Sequence, residues 1–109
     1  MHAHPKTTMT TLYAQPYDIS ATGFYFKDAV EFEAKAARAR NAYGQPVEEF
    51  EIQFIDGEAA DAGVFNAVGV HQGNVAAFFD TVADWTDDEK IKVIIAVGEV
   101  GYSFDIGRV

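Results

Sequence analysis

Val47-Glu48-Glu49-Phe50-Glu51-Ile52-Gln53-Phe54-Ile55 alternates polar and apolar side chains from Glu49 to Phe54. A period of two is the mark of a half-buried strand, with Phe50, Ile52 and Phe54 on one face and Glu49, Glu51 and Gln53 on the other. An apolar strand face needs a second layer to cover it, and the sequence on either side supplies one. Upstream, Asp28-Ala-Val-Glu31 has the spacing of a helix start, Asp28 capping an orphan amide and Glu31 reaching back. That helix is expected to run to about Ala42, with Val30, Ala34, Ala37 and Phe32 on its buried side and Gly44 as its C-terminal cap. Its acids lie early (Asp28, Glu31, Glu33) and its bases late (Lys35, Arg38, Arg40), as the helix dipole prefers.

Further upstream, Thr11-Leu-Tyr-Ala-Gln, closed by Pro16, and Phe24-Tyr25-Phe26 read as an antiparallel strand pair with a long connection through Gly23. Asp56-Gly57 turns the chain, and the character changes to helices. Ala59 to Val68 is a short one with Val64, Phe65 and Val68 inward, ended by Gly69. Gln72 to Trp85 carries Val75, Phe78, Phe79 and Val82 as an apolar stripe. Thr86-Asp-Asp-Glu89 is a capping box that opens a third helix, whose Ile91, Val93, Ile94, Ile95 and Val97 are expected to enter the core. Tyr102-Ser-Phe-Asp-Ile reads as one more strand or extended tail. The expected class is therefore α+β: a three-stranded antiparallel sheet with one helix (ββαβ) over residues 11–57, then a helical subdomain of about three helices over residues 58–109, after a flexible tail at 1–10. Met9 is an alternative start to Met1.

Across Asn41 to Glu89 there is no lysine or arginine, and every charged residue is an acid: Glu48, Glu49, Glu51, Asp56, Glu58, Asp61, Asp80, Asp84, Asp87, Asp88 and Glu89. With 49% hydrophobic residues the chain is a folding one, so this is a folded surface of one sign rather than a disordered acidic tail. Asp80 and Asp84 lie one turn apart on a helix exterior, where two like charges cost about 0.2–0.5 kcal/mol. The acids of Thr86–Glu89 have a structural explanation in capping. Two readings stay open on charge alone: a solubilising face, and a surface that imitates nucleic-acid phosphates.

The formal charge of −9 argues against direct binding of DNA, RNA or an anionic membrane and favours a basic partner. No apolar run approaches the ~18–20 residues that span a bilayer, and the N-terminus lacks the apolar segment of a signal peptide. The absence of cysteine fits a cytoplasmic location and excludes disulfides and thiolate chemistry. No catalytic set assembles: His71 stands alone in the folded part, Ser20 and Ser103 lack a nucleophile elbow, and no phosphate loop, zinc spacing or calcium loop is present. Asp80 and Asp84 lack further ligands for a cation. A non-enzymatic protein without cofactor or metal is expected.

Leu12-Tyr-Ala-Gln-Pro-Tyr-Asp-Ile-Ser-Ala-Thr-Gly-Phe-Tyr-Phe26, Pro46-Val-Glu-Glu-Phe-Glu-Ile-Gln-Phe-Ile-Asp-Gly-Glu58, Phe78-Phe79-Asp80 and Glu99-Val-Gly-Tyr-Ser-Phe-Asp105 resemble the ArdA-type antirestriction proteins. The resemblance runs from about residue 11 to residue 106. It implies a protein of mobile elements or phage that imitates the bend and charge of B-form DNA and occupies the DNA-binding groove of a type I restriction-modification enzyme. The eleven acids would then be its phosphate-mimicking contacts. Family members are longer, with a further C-terminal subdomain that adds acids and pairs two copies, whereas this chain ends at Val109. A shortened form would cover less DNA, act as a monomer or homodimer, or have a changed target, such as the nucleic-acid channel of a CRISPR effector complex.

Overall fold

The computed structural model describes residues 10–100 and is α+β. Three strands, β1 (Thr11–Pro16), β2 (Phe24–Phe26) and β3 (Phe50–Asp56), and four helices, α1 (Ala29–Arg38), α2 (Ala59–Val68), α3 (Val75–Asp84) and α4 (Asp87–Val100), follow in the order ββαβααα. β1 is central, antiparallel to both neighbours, with Tyr13 opposite Tyr25 on one side and Gln53 on the other. The alternation read in β3 is realised at its start, where Phe50 and Ile52 are buried and Glu51 is exposed, and fades at Gln53 and Phe54, both half-buried.

The inner sheet face, α1, α2 and α3 share one core, which includes Leu12, Phe26, Phe32, Val64, Phe78 and Val82. Aromatic rings link its parts. Phe54 meets Phe65 at 5.7 Å between centroids, Phe65 meets Phe78 at 5.6 Å, Phe78 meets Phe79 at 5.6 Å, and Phe79 reaches Phe26 at 6.0 Å. Such edge-on pairs contribute about 0.5–1.5 kcal/mol each beyond the area they bury. The division at Gly57 is thus a change of secondary structure, with packing continuous across it.

Three helices differ from their expected form. Capped as anticipated, with the Glu31 amide donating to Asp28 Oδ1 at 2.7 Å, α1 ends at Arg38 rather than near Ala42. The Asn41 side chain captures the following backbone instead: its Oδ1 accepts from the amides of Tyr43 at 2.8 Å and Gln45 at 3.0 Å. Gly44, at φ +78°, serves this turn and does not cap the helix. Of the four residues read as its buried side, Phe32 alone is buried, and Val30, Ala34 and Ala37 are exposed. Phe32 enters the core and Val30 is 79% exposed, because residues two apart on a helix point about 200° apart and the larger side chain wins the core.

On α4, Ile94 packs inward, whereas Ile91 and Ile95 remain about half exposed. In their place Lys90 is buried. Around α3 the start is later than read, at Val75, since His71–Asn74 forms its own turn, with the His71 amide donating to Asn74 Oδ1 at 2.8 Å. α2 ends at Gly69 in the left-handed region (φ +66°), as a C-terminal glycine does. The expected N-terminal tail, save Thr10, and the extended segment at Tyr102 lie outside the described residues.

Candidate functional site

The acids of the base-free stretch occupy three places. Glu48, Glu49 and Glu51 lie on the approach to β3 and on its outward face. Their backbone is held on both sides: the Tyr17 amide donates to the Glu49 carbonyl at 3.2 Å, and Gln72 clasps the strand entrance. The Gln72 amide group donates to the Glu48 carbonyl at 3.0 Å and accepts from the Phe50 amide at 2.6 Å. A side chain thus satisfies backbone groups that a further strand would otherwise pair. Asp56 ends β3 and accepts from the Gly57 amide at 3.0 Å. Glu58 precedes α2, half-buried.

The second group is Asp80 and Asp84, both exposed on α3. The third is Asp87, Asp88 and Glu89 in the first turn of α4, all exposed. There the capping box is formed in full, the Thr86 amide donating to Glu89 Oε1 at 2.8 Å and the Glu89 amide donating to Thr86 Oγ1 at 3.2 Å. Lys92 approaches Asp88 only to 3.9 Å and both are largely exposed, so that pair is weak.

Asp61 corrects the sequence reading. It has no exposed surface and accepts from Lys90 Nζ at 2.6 Å and from Thr10 Oγ1 at 3.1 Å. Its place within the first turn of α2, facing α4 rather than solvent, removes it from any outer surface. The polarity that made it look external is answered internally by Lys90, which is only 2% exposed. The consequence for the surface is a cancellation. The one base that directly follows the acidic stretch is hidden, and its charge is matched chiefly by the one hidden acid, with exposed Asp87 farther off at 3.9 Å. Of the eleven acids, leaving aside Asp61 and half-buried Glu58, nine are exposed.

Two bases of the other half are tied to α1. Lys35 pairs with Glu31 at 2.9 Å and donates to the Tyr25 carbonyl at 2.8 Å. Arg40 donates to the carbonyls of Ala37 and Ala39 at the end of the helix. The Lys35 ion pair, and after it the Lys27 amide, holds the Glu31 carboxyl below its ordinary value.

One acid outside the stretch joins it in space. Asp18 lines a shallow open cleft of about 300 Å³ with Tyr17, Pro46, Val47, Glu48 and Glu49. It is fixed there as an Asx turn, its Oδ1 accepting from the Ser20 amide at 2.9 Å and hydroxyl at 2.8 Å, while Oδ2 accepts from Asn41 Nδ2 at 3.0 Å. The Ser20 bonds first, and then Asn41, hold its carboxyl below the ordinary range. The Asp18-Ile-Ser20 spacing signals the turn, but nothing in the sequence signals its juxtaposition with Glu48.

Among the described residues no three His, Asp or Glu side chains are grouped to hold a metal ion, and no helix is long and apolar enough to cross a membrane. Comparison of the chain with protein-family models, with curated proteins and with solved structures finds no match.

Proposed function

We propose that this protein is a non-enzymatic inhibitor that imitates the charge of a nucleic acid and occupies the basic DNA-binding channel of a host defence complex, a type I restriction-modification enzyme before others. The observation that carries the reading is the set of nine exposed carboxylates, distributed over β3, α3 and α4, in a 49-residue stretch free of bases. Charges of one sign on rigid elements repel one another, and a protein needing only solubility mixes in bases. The resemblance of the Leu12–Phe26 and Pro46–Glu58 segments to ArdA-type proteins supports the same conclusion and selects the target class.

DNA presents one charge per ~1.7 Å of axis, so nine carboxylates correspond to on the order of 15 Å of duplex. Long-range attraction to a basic channel steers association, and salt screens it. A folded protein lacks the condensed counterions of DNA. Its binding is therefore expected to fall less steeply with salt than that of the duplex it displaces.

The test is a competition assay in which the protein is titrated against labelled DNA on a type I restriction enzyme, at low and moderate salt, beside a CRISPR surveillance complex. Displacement that weakens with salt is expected on the restriction enzyme. Displacement on the CRISPR complex alone would keep the mimicry and change the target. No displacement on either leaves a solubilising face on an interaction module. Replacing Glu48, Glu49, Glu51, Asp56, Asp80 and Asp84 together by their amides is expected to abolish displacement with the fold intact by circular dichroism. Any one of them replaced alone should weaken it by less than about threefold, in keeping with a distributed and screened attraction. Complete loss from one substitution would mark a localised mechanism instead.

A further inference from the structure

The buried Lys90–Asp61 pair is not needed to explain why the chain folds. Taking both charges out of water is costly, and apolar residues of similar volume at such a place are often as stabilising or more so. What an ion pair supplies in some folds, beyond what an apolar contact does, is a unique register. The seam between α2 and α4 has need of one. Half of the ten residues of α2 are alanine or glycine (Ala59, Ala60, Ala62, Gly63 and Ala67), a smooth surface with little to interlock. At Gly63 even a methyl group would clash with Ile94 Cδ1, so the two helices run very close there. Lys90 lies one turn before Ile94 and reaches Asp61 at 2.6 Å. The same carboxylate accepts from Thr10, the residue that leads into β1. Three parts of the fold converge on one buried acid.

We infer that Asp61, Lys90 and Thr10 form a positioning device that sets the register of α4 on α2, and of both on the sheet, and so fixes the spacing between the helix-borne acids Asp87–Glu89 and the strand-borne acids Glu51 and Asp56. The inference rests on the mimic reading for its purpose, but its geometry can be tested without it. A slip of α4 by one turn moves its first-turn carboxylates by about 5.4 Å, some three charge spacings along a duplex at ~1.7 Å each. Such a slip leaves the net charge unaltered and ruins the match. The pair is a positioning element, since neither member touches a partner.

The chain has no cysteine of its own, so two can be introduced for spin labels without interference. With Ile55→Cys and Lys92→Cys as label sites, pulsed electron-spin distance measurement of the full chain is expected to give one narrow distance. Adding Asp61→Leu with Lys90→Met should leave the thermal midpoint unchanged or higher while the distribution broadens or splits by about 5 Å, one helical turn. The swapped pair, Asp61→Lys with Lys90→Asp, should restore a single distance. A leucine–methionine protein that keeps the narrow distance overturns the inference, and so does one that unfolds, since the pair then supplies stability alone. A swapped pair that does not narrow the distribution overturns charge pairing as the cause. No target enzyme enters this measurement, so its failure leaves the competition assay to decide mimicry separately.

Discussion

α1 and α3 are both ten residues long and both lean on the same core, yet their charges obey opposite rules. α1 is capped by Asp28, carries an acid in its first turn, bases in its last, and an i,i+4 pair between Glu31 and Lys35. α3 has no side-chain cap bond, no acid in its first turn, no base in its last, and two acids one turn apart, with Asp84 at the negative end of the dipole. Each of these omissions costs a few tenths of a kcal/mol to about 1 kcal/mol. α3 offsets them with a deeper apolar stripe, for Val75, Phe78 and Val82 are all buried, whereas α1 buries Phe32 alone. Local electrostatics support α1. α3 is held by packing, which leaves its outer charges free to serve something other than the helix.

That contrast can be broken at its strongest point first. Phe78→Ala removes a ring fully enclosed by the core and should cost about 3–5 kcal/mol, read as a large fall in the denaturant midpoint. Asp28→Ala, which strikes α1 through its cap, should cost about 1 kcal/mol in the same measurement. Removing a buried ring must outweigh removing a cap; equal losses would mean that α3 does not depend on its stripe. Asp84→Lys should do the reverse of both, stabilising by about 0.5 kcal/mol, because it turns a repulsive pair into an attractive one and complements the dipole. The same change should weaken displacement of DNA in the competition assay, so stability and function would move in opposite directions on one residue.

The smallest effect concerns acidity. The folded-state pKa of Glu31 lies below its ordinary 4.5, so near that pH the unfolded chain binds more protons than the folded one. The stabilisation it gives α1 is fully present above pH 4.5 and is lost as pH falls through the folded value. A Glu31→Gln protein should therefore be slightly less stable than the parent at neutral pH and should converge with it in acid, as followed by thermal melts across that range.

What the sequence discloses follows from how local each feature is. The alternation of Phe50–Ile52, the Asp28 cap and the Thr86–Glu89 box involve residues within a few positions of one another, and all three are found as read. On α1 the expected burial holds for Phe32 and fails for Val30, Ala34 and Ala37, because an alanine stripe marks no side strongly and only the sheet decides which face is covered. Asp61 and Lys90 are 29 residues apart, and Asp18 and Asn41 are 23 apart. No pattern of period two or 3.6 reports such pairings. An acid in a helix's first turn looks external until the base that answers it is placed in space. The acidic character of the candidate surface was therefore legible, while its membership changed by the loss of Asp61 and the proximity of Asp18.

The burial of Lys90 also makes it a clock. Proteases that cut after lysine or arginine find no bond to attack between Arg40 and Lys90, so the fifty residues Asn41–Lys90 form a single indivisible fragment. Cleavage at its far end requires Lys90 to leave Asp61, and with it the opening of the start of α4. Where closing is fast, the rate of that one cut measures the fraction of time the helix is open; where cleavage outpaces closing, it measures how often the helix opens. In a cell full of such enzymes, the acidic surface would be lost in one piece or not at all.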